Sequence, residues 1–264
     1  MGSQDQGAGK EFKGVSQDYI GLFCKKLISL ERSKNPYEKF RDFCEMVYCT
    51  YAQRAPGCDQ EKADKLEARY MQIVDTYPNK DTVRAYPEML AWAAIAIANR
   101  QEFLGAAAER LELLDKHSSQ FFTPHHVSKM MAQMTIGDPG PLIKQNGFIT
   151  VSEPACGSGG MILAVADVIE DCGYDPSKHM LVQAADISPL CYHMTYIQLT
   201  LRGVPAAVIQ ANSLSMEQFD SAWTPQVGPF FEMHGRLFDA NDPKSDGQPP
   251  PDYNIGEHGQ LGLF

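Results

Sequence analysis

The chain has 264 residues, 44% of them hydrophobic, and a formal net charge of −10. That is enough apolar side chain to bury one large core or two smaller ones, and no run of about 18 apolar residues is present to cross a membrane. The charge is uneven: residues 1–120 hold 17 Lys and Arg against 18 Asp and Glu, whereas residues 121–264 hold 6 against 15. Proteins that bind DNA alone present a basic face, so any nucleic-acid contact is expected from the N-terminal half or from a partner chain.

Residues 1–14 are rich in Gly, Gln and Ser and read as a flexible leader without the apolar core of a secretory signal. Residues 15–118 read as an all-helical N-terminal domain. Ile20, Phe23, Leu27 and Leu30 recur at helical spacing, as do Phe40, Phe43, Val47 and Tyr51, then Leu66, Tyr70 and Ile73. Two more helices are expected at Met89–Asn99 and Phe103–Leu114, and the aromatic stripes suit a bundle core. The seven cysteines are odd in number and lack a CxxC pair, which indicates neither a disulfide framework nor a zinc ribbon. Cys44, Cys49 and Cys58 have no His or fourth Cys at ligand spacing. Buried reduced thiols in a cytoplasmic protein are the expectation.

Residues 119–236 read differently. Thr123 and Pro124 predict a helix start, Thr as cap and Pro in the first turn, with Val127, Met130, Met131 and Met134 as the buried stripe. His125 and His126 are expected to face solvent, and a capped core helix explains the segment by itself. Strands are expected at Phe148–Ser152, Met180–Ala185 and Ala207–Gln210, with helices at Met161–Ile169 and Pro189–Leu201 between them. This alternation predicts a parallel, doubly wound α/β sheet. Residues 237–264, rich in Pro, Gly and Asp, are expected to be a disordered or extended tail.

The segment EPACGSGGM, residues 153–161, carries the chemistry. Gly157, Gly159 and Gly160 lie between a strand and a helix, where glycine lets the backbone turn sharply and a helix start offers N–H donors. Asp186 follows the next strand, where a carboxylate can accept both hydroxyls of a ribose. A dinucleotide fits poorly. Its fingerprint wants Gly or Ala at position 162, which is Ile, and Glu153 would repel a pyrophosphate but suit a cationic amino-acid moiety. No Lys follows the glycines, which excludes a P-loop.

QFFTPHHVSKMM at 120–131 followed by EPACGSGGM resembles the modification subunits of type I restriction–modification systems, and EFLGAAAERLELLDKHSSQFFTP resembles that family's domain junction. The resemblance covers roughly residues 15–220. It implies a Rossmann-like S-adenosylmethionine-dependent methyltransferase fold with an incomplete sheet, and adenine-N6 DNA methyltransferase chemistry. By the same resemblance, Phe122, Thr123 and Pro124 would border the methionine end of the cofactor. Glu153, Ala155, Gly157 and Gly159 would form its cradle, Asp186 would bind the ribose, and Ile187 would pack on the adenine. Asn212 stands where the family has Asp against the adenine amino group, a departure that still permits a hydrogen bond.

The larger departure is catalytic. The family's Asn/Asp-Pro-Pro-Phe/Tyr motif orients a flipped base, and here the chain reads QFDSAWTPQVGPFF at 218–231. Trp223, Pro225 and Gln226 are the weak substitutes at about that place. The sheet is expected to run out near its fourth strand, leaving an open edge for the tail, the helical domain, a protein partner or a second copy to cover. Weak or lost methyl transfer is therefore expected. The competing readings are a non-catalytic binding or regulatory subunit, acting as a decoy on restriction–modification components, and a small-molecule methyltransferase.

Overall fold

The computed structural model describes residues 17–113 and 123–237. Five helices come first: α1 (Tyr19–Ser29), α2 (Pro36–Ala52), α3 (Gln60–Asp75), α4 (Asp81–Ala98) and α5 (Leu104–Arg110). Their starts follow local chemistry. Asp18 and Asp59 accept backbone N–H bonds at the heads of α1 and α3. Asn35 and Glu38 form a reciprocal capping box ahead of α2, with Pro36 in its first turn. Next come α6 (His125–Ile136), α7 (Gly140–Asn146), β1 (Ile149–Glu153), α8 (Gly160–Asp171), α9 (Pro176–His179), β2 (Met180–Asp186), α10 (Pro189–Arg202) and β3 (Ala206–Asn212). The described chain closes with β4 (Glu217–Trp223) and α11 (Val227–His234).

The sheet has the order β1-β2-β3-β4. The first three strands are parallel, with Ile149 opposite Met180 and Val182 opposite Ala206. β4 runs antiparallel to β3, placing Ala207 opposite Trp223 and Asn212 opposite Glu217, with an irregularity at Gln210/Ala211. The fourth strand thus doubles back instead of extending the parallel set. One sheet face packs through Val151, Val182, Val208 and Ala222 on a core that includes Ile162, Tyr192, Tyr196 and Leu199. On the other, a smaller cluster of Phe148, Leu181, Ala207, Trp223, Val227, Phe230 and Leu237 forms where the parallel strands begin.

The helical half is fused to this sheet rather than set apart from it. Phe23, Phe40, Phe43 and Phe103 share a core with Cys191, Met194 and Ile197 of α10. Tyr48, Cys49 and Ala52 of α2 join the sheet core instead. Polar contacts reinforce the seam: the Tyr48 hydroxyl donates to Asp220 Oδ2 at 2.7 Å, and Lys62 Nζ donates to Asp220 Oδ1 at 2.8 Å and to the Ser221 carbonyl. Within the helical half, buried Asp42 accepts from Lys34, Arg41 and the Tyr77 hydroxyl.

Three expectations for α6 need correction. The helix begins at His125, one residue later than expected; Pro124 occupies the cap position, and Thr123 makes no side-chain cap bond. Its buried face carries Ser128 and Ala132, while Met130, Met131 and Met134 are 55%, 45% and 79% exposed. Charge sets that rotation. His125 Nε2 lies 3.2 Å from buried Asp167, and Lys129 pairs with Asp171, both on α8, so the 125/129/132 face is turned inward. His125 is therefore half-buried against Asp167 rather than fully open to solvent. Among the cysteines, Cys172 is exposed and Cys58 half-buried, against the expectation of buried thiols; the other five are buried. Burial pushes the Cys49 and Cys191 thiols up to about 12.

Three outcomes follow from this packing. Asp42→Ala should cost about 3 kcal/mol, because it leaves buried cationic and hydroxyl donors without their acceptor; chemical denaturation measures this. Met134→Gln should change stability by less than about 0.5 kcal/mol, while Ser128→Leu on the buried face should cost about 1–3 kcal/mol. The third concerns pH. Burial raises the Asp42 and Asp220 carboxyls, but Lys34, Arg41 and Tyr77 on the first, and Lys62 and Tyr48 on the second, outweigh it and hold both below the usual carboxylate range. Depressed carboxyls stabilise above their unfolded pKa of about 3.9 and lose that contribution as pH falls through the folded value. Unfolding stability should therefore drop below about pH 4, and Asp220→Asn should shallow the drop in acid denaturant titrations.

Candidate cofactor site

β1, β2 and β3 end side by side, and the residues following them converge. The chain leaves β1 through Glu153 and turns at residues 157–159. Gly157 (φ 56) and Gly159 (φ 90) both take backbone angles that L side chains rarely adopt. A Cβ on Gly159 would also sit 3.2 Å from Thr195 Oγ1. The turn closes on itself through the Gly159 N–H to the Cys156 carbonyl at 2.8 Å, and the Cys156 N–H reaches across to the Ala185 carbonyl of β2 at 2.9 Å. α8 then starts at Gly160.

Asp186, half-buried at the end of β2, ties the turn down. Its Oδ2 accepts the Gly157 N–H and its Oδ1 the Ser188 N–H, both at 2.9 Å. Burial pushes its carboxyl up, and those amide bonds reverse only part of the rise. A carboxylate has about four acceptor positions, so two of them remain for a ligand's hydroxyls. Beside it, Ile187 is 56% exposed, an apolar surface at the mouth of the site. Glu153 accepts the Ala155 N–H at 3.3 Å.

Asn212 ends β3 at the same level. Its Oδ1 accepts the Leu214 and Ser215 N–H groups at 3.0 and 3.2 Å, which fixes the amide's orientation. The oxygen is engaged by the β3–β4 turn, and the NH2 has no partner among the described residues. Ser213 clamps that turn to β1 by donating to the Pro154 carbonyl at 2.6 Å.

The structure brings Glu153, Ala155, Gly157, Gly159, Asp186, Ile187 and Asn212 together. Three of the remaining expected residues, Trp223, Pro225 and Gln226, stand elsewhere. Phe122 lies outside the described residues. Thr123 and Pro124 are exposed. The neighbouring His125 meets Asp167, seven residues into α8 and thus roughly 10 Å along the axis from Gly160. Trp223, Pro225 and Gln226 are at the wrong end of the sheet. Because β4 is antiparallel, Trp223 stands opposite Ala207, near the start of β3, roughly 17 Å from the strand end that carries Asn212. Trp223 packs in the cluster with Phe148 and Phe230, and Gln226 Nε2 donates to the Thr200 carbonyl at 3.1 Å. All three thus stand away from the glycine turn.

Sequence reasoning missed the residues that hold the turn from below. Thr195 Oγ1 donates to the Gly157 carbonyl at 2.9 Å, and Gln198 Nε2 donates to the Ser158 carbonyl at 2.7 Å. Both belong to α10, a helix with a long buried stretch. Their signal was faint but present: two polar side chains three apart inside an apolar helix, one turn of the same face.

The donor set suits S-adenosylmethionine. Two carboxylates match its cationic groups and ribose, an exposed aliphatic side chain matches the adenine face, and an amide NH2 matches a ring nitrogen. The chain is similar to several known proteins. The model of the N-6 DNA Methylase family matches residues 104–231. The methylase subunit of the type I restriction enzyme MjaIX from Methanocaldococcus jannaschii is 24% identical over 108 residues. That match covers 41% of this chain, and the chain spans only 18% of the relative's length. A crystal structure described as a class I S-adenosylmethionine-dependent methyltransferase from Listeria monocytogenes aligns at 10% identity, covering 83% of this chain and 71% of that one, with a TM-score of 0.39. No helix among the described residues is long and apolar enough to cross a membrane. Residues 104–231, just under half of the chain, are thus similar to the N-6 DNA Methylase family.

Proposed function

We propose that this chain binds S-adenosylmethionine at the residue 153–159 turn, and that it does not complete adenine-N6 methyl transfer to DNA without a partner chain. The observation that carries the first half is the Gly157–Asp186 bond, which joins a glycine turn at positive φ to the one carboxylate placed for a ribose. In this reading Asp186 holds the ribose, Ile187 faces the adenine, the Asn212 NH2 donates to an adenine ring nitrogen, and Glu153 faces the amino-acid end. The bound cofactor supplies an electrophilic methyl on a sulfonium. The chain's part is orientation, through a backbone that cannot relax away from the ligand.

The second half rests on where Trp223, Pro225 and Gln226 lie, roughly 17 Å from the cofactor end. Aromatic stacking and amide acceptors for a flipped base must then come from elsewhere. Charge points the same way. Several cations of the helical half are paired with carboxylates of the same chain: Lys34 and Arg41 with Asp42, Lys62 with Asp220, and Arg69 with Glu45. That leaves a weak electrostatic footing for DNA. These two observations also favour the second reading, a non-catalytic cofactor-binding subunit that acts through protein contacts.

Calorimetry should give S-adenosylmethionine binding in the micromolar range, on the order of −8 kcal/mol. Asp186→Ala should weaken it by about tenfold or more, and Gly159→Ala should abolish it while costing about 1–3 kcal/mol of stability for a strained backbone. Tritiated methyl incorporation into unmodified DNA should stay at background for the isolated chain. Robust turnover would refute the partner requirement, and turnover that appears only when type I restriction–modification subunits are added would separate the first reading from the second.

A further inference from the structure

We propose that Gln198 is a positioning residue that fixes the cofactor turn and makes the start of α5 part of the same mechanical unit. Its side chain is completely buried and uses both ends. Nε2 donates to the Ser158 carbonyl at 2.7 Å and to Glu102 Oε1 at 2.8 Å, and Oε1 accepts the Phe103 and Leu104 N–H groups at 2.8 and 3.0 Å. Glu102 in turn accepts the Gly105 and Ala106 N–H groups at 2.8 and 2.9 Å. The first turn of a helix has four N–H groups without intrahelical acceptors. At α5, two side chains supply all the acceptors just named, and one of those side chains also grips the cofactor turn.

Steric fit locks the same joint. A Cβ on Gly105 would meet Ser158 Oγ at 2.5 Å and Glu102 Oε1 at 2.6 Å, so α5 and the turn touch backbone to side chain with no slack. Only an amide serves at position 198. Glutamate can accept from residues 103 and 104 but cannot donate to the Ser158 carbonyl, and leucine can do neither. The turn therefore cannot shift without breaking the bonds that start α5, and α5 packs into the helical core through Leu104, Ala107 and Ala108. Cofactor binding at the turn is thereby transmitted to the helical half, and the helical half sets how open the turn is.

The idea that this joint serves a cofactor rests on the function proposed above; the joint itself does not. Amide hydrogen exchange on the full, cofactor-free chain tests the joint. Gln198→Leu should speed exchange at residues 157–161 and at Phe103 and Leu104 by about tenfold, and Gln198→Glu should speed both groups as well, because its carboxylate loses the donor to the Ser158 carbonyl and faces the Glu102 carboxylate. Exchange at 157–161 no faster than in the core control Ile97→Val would overturn the joint. Calorimetry with S-adenosylmethionine tests its purpose: Gln198→Leu should lose about tenfold in affinity, and Ile97→Val less than about twofold. Equal losses in the two variants would reduce Gln198 to a packing residue. Should Gln198→Leu not fold, Gln198→Glu and Glu102→Gln carry both measurements. Failure of the wild type to bind the cofactor would sink the proposed function, and the exchange result would still decide the joint.

Discussion

Everything at the cofactor end depends on two hydrogen bonds from one helix to the carbonyls of a glycine turn. Thr195 and Gln198 hold the Gly157 and Ser158 carbonyls, while Asp186 holds the Gly157 N–H from the opposite side. The two positive-φ glycines of this turn have no side chains of their own to brace it. Bracing must come from a neighbour that is itself immobile. α10 qualifies because both of its faces are buried: Cys191, Met194 and Ile197 enter the helical core, and Tyr192, Tyr196 and Leu199 enter the sheet core. Ser188 with Pro189 starts it and Gly203 (φ 76) stops it, so its register against the turn is fixed at both ends.

The short link between β3 and β4 decides what the cofactor end lacks. Only Ser213–Met216 separate the two strands, and a parallel connection needs a crossover of a dozen or more residues. The fourth strand must fold back. That carries Trp223, Thr224 and Pro225 to the amino ends of the strands, where Thr224 Oγ1 accepts the Ala206 N–H and donates to the Val204 carbonyl. It also frees Asp220 to meet Tyr48 and Lys62, so the same hairpin that leaves the site without a base-binding strand anchors the helical half to the sheet.

Charge acts mainly inside this molecule. Asp167, Glu170 and Asp171 on α8 gather His125 and Lys129 from α6, Arg202 from α10, and Arg100 from the loop before α5. Partly buried pairs of this kind set orientation more than they add net stability. Here they turn α6 so that a Lys–carboxylate and His–carboxylate face is inward and a methionine face is outward.

The sequence by itself determined the elements and the turn. Hydrophobic spacing located α1 to α4 and α10, and the β-branched runs located β1 to β3, because those signals are local. The glycines at 157 and 159 and the carboxylate at 186 were legible for the same reason: each must satisfy a constraint set by its immediate backbone. Tertiary structure alone decided the rest. The β3–β4 hairpin has no Gly or Asn-Gly signature, and Met216 takes φ 62 instead, so the reversal that displaced Trp223, Pro225 and Gln226 left no local mark. Rotation of α6 followed from carboxylates more than thirty residues away, which no helical period records. The roles of Thr195 and Gln198 appeared only when α10 was laid under the turn, since a buried polar side chain is defined by its partner across space and not by its neighbours along the chain.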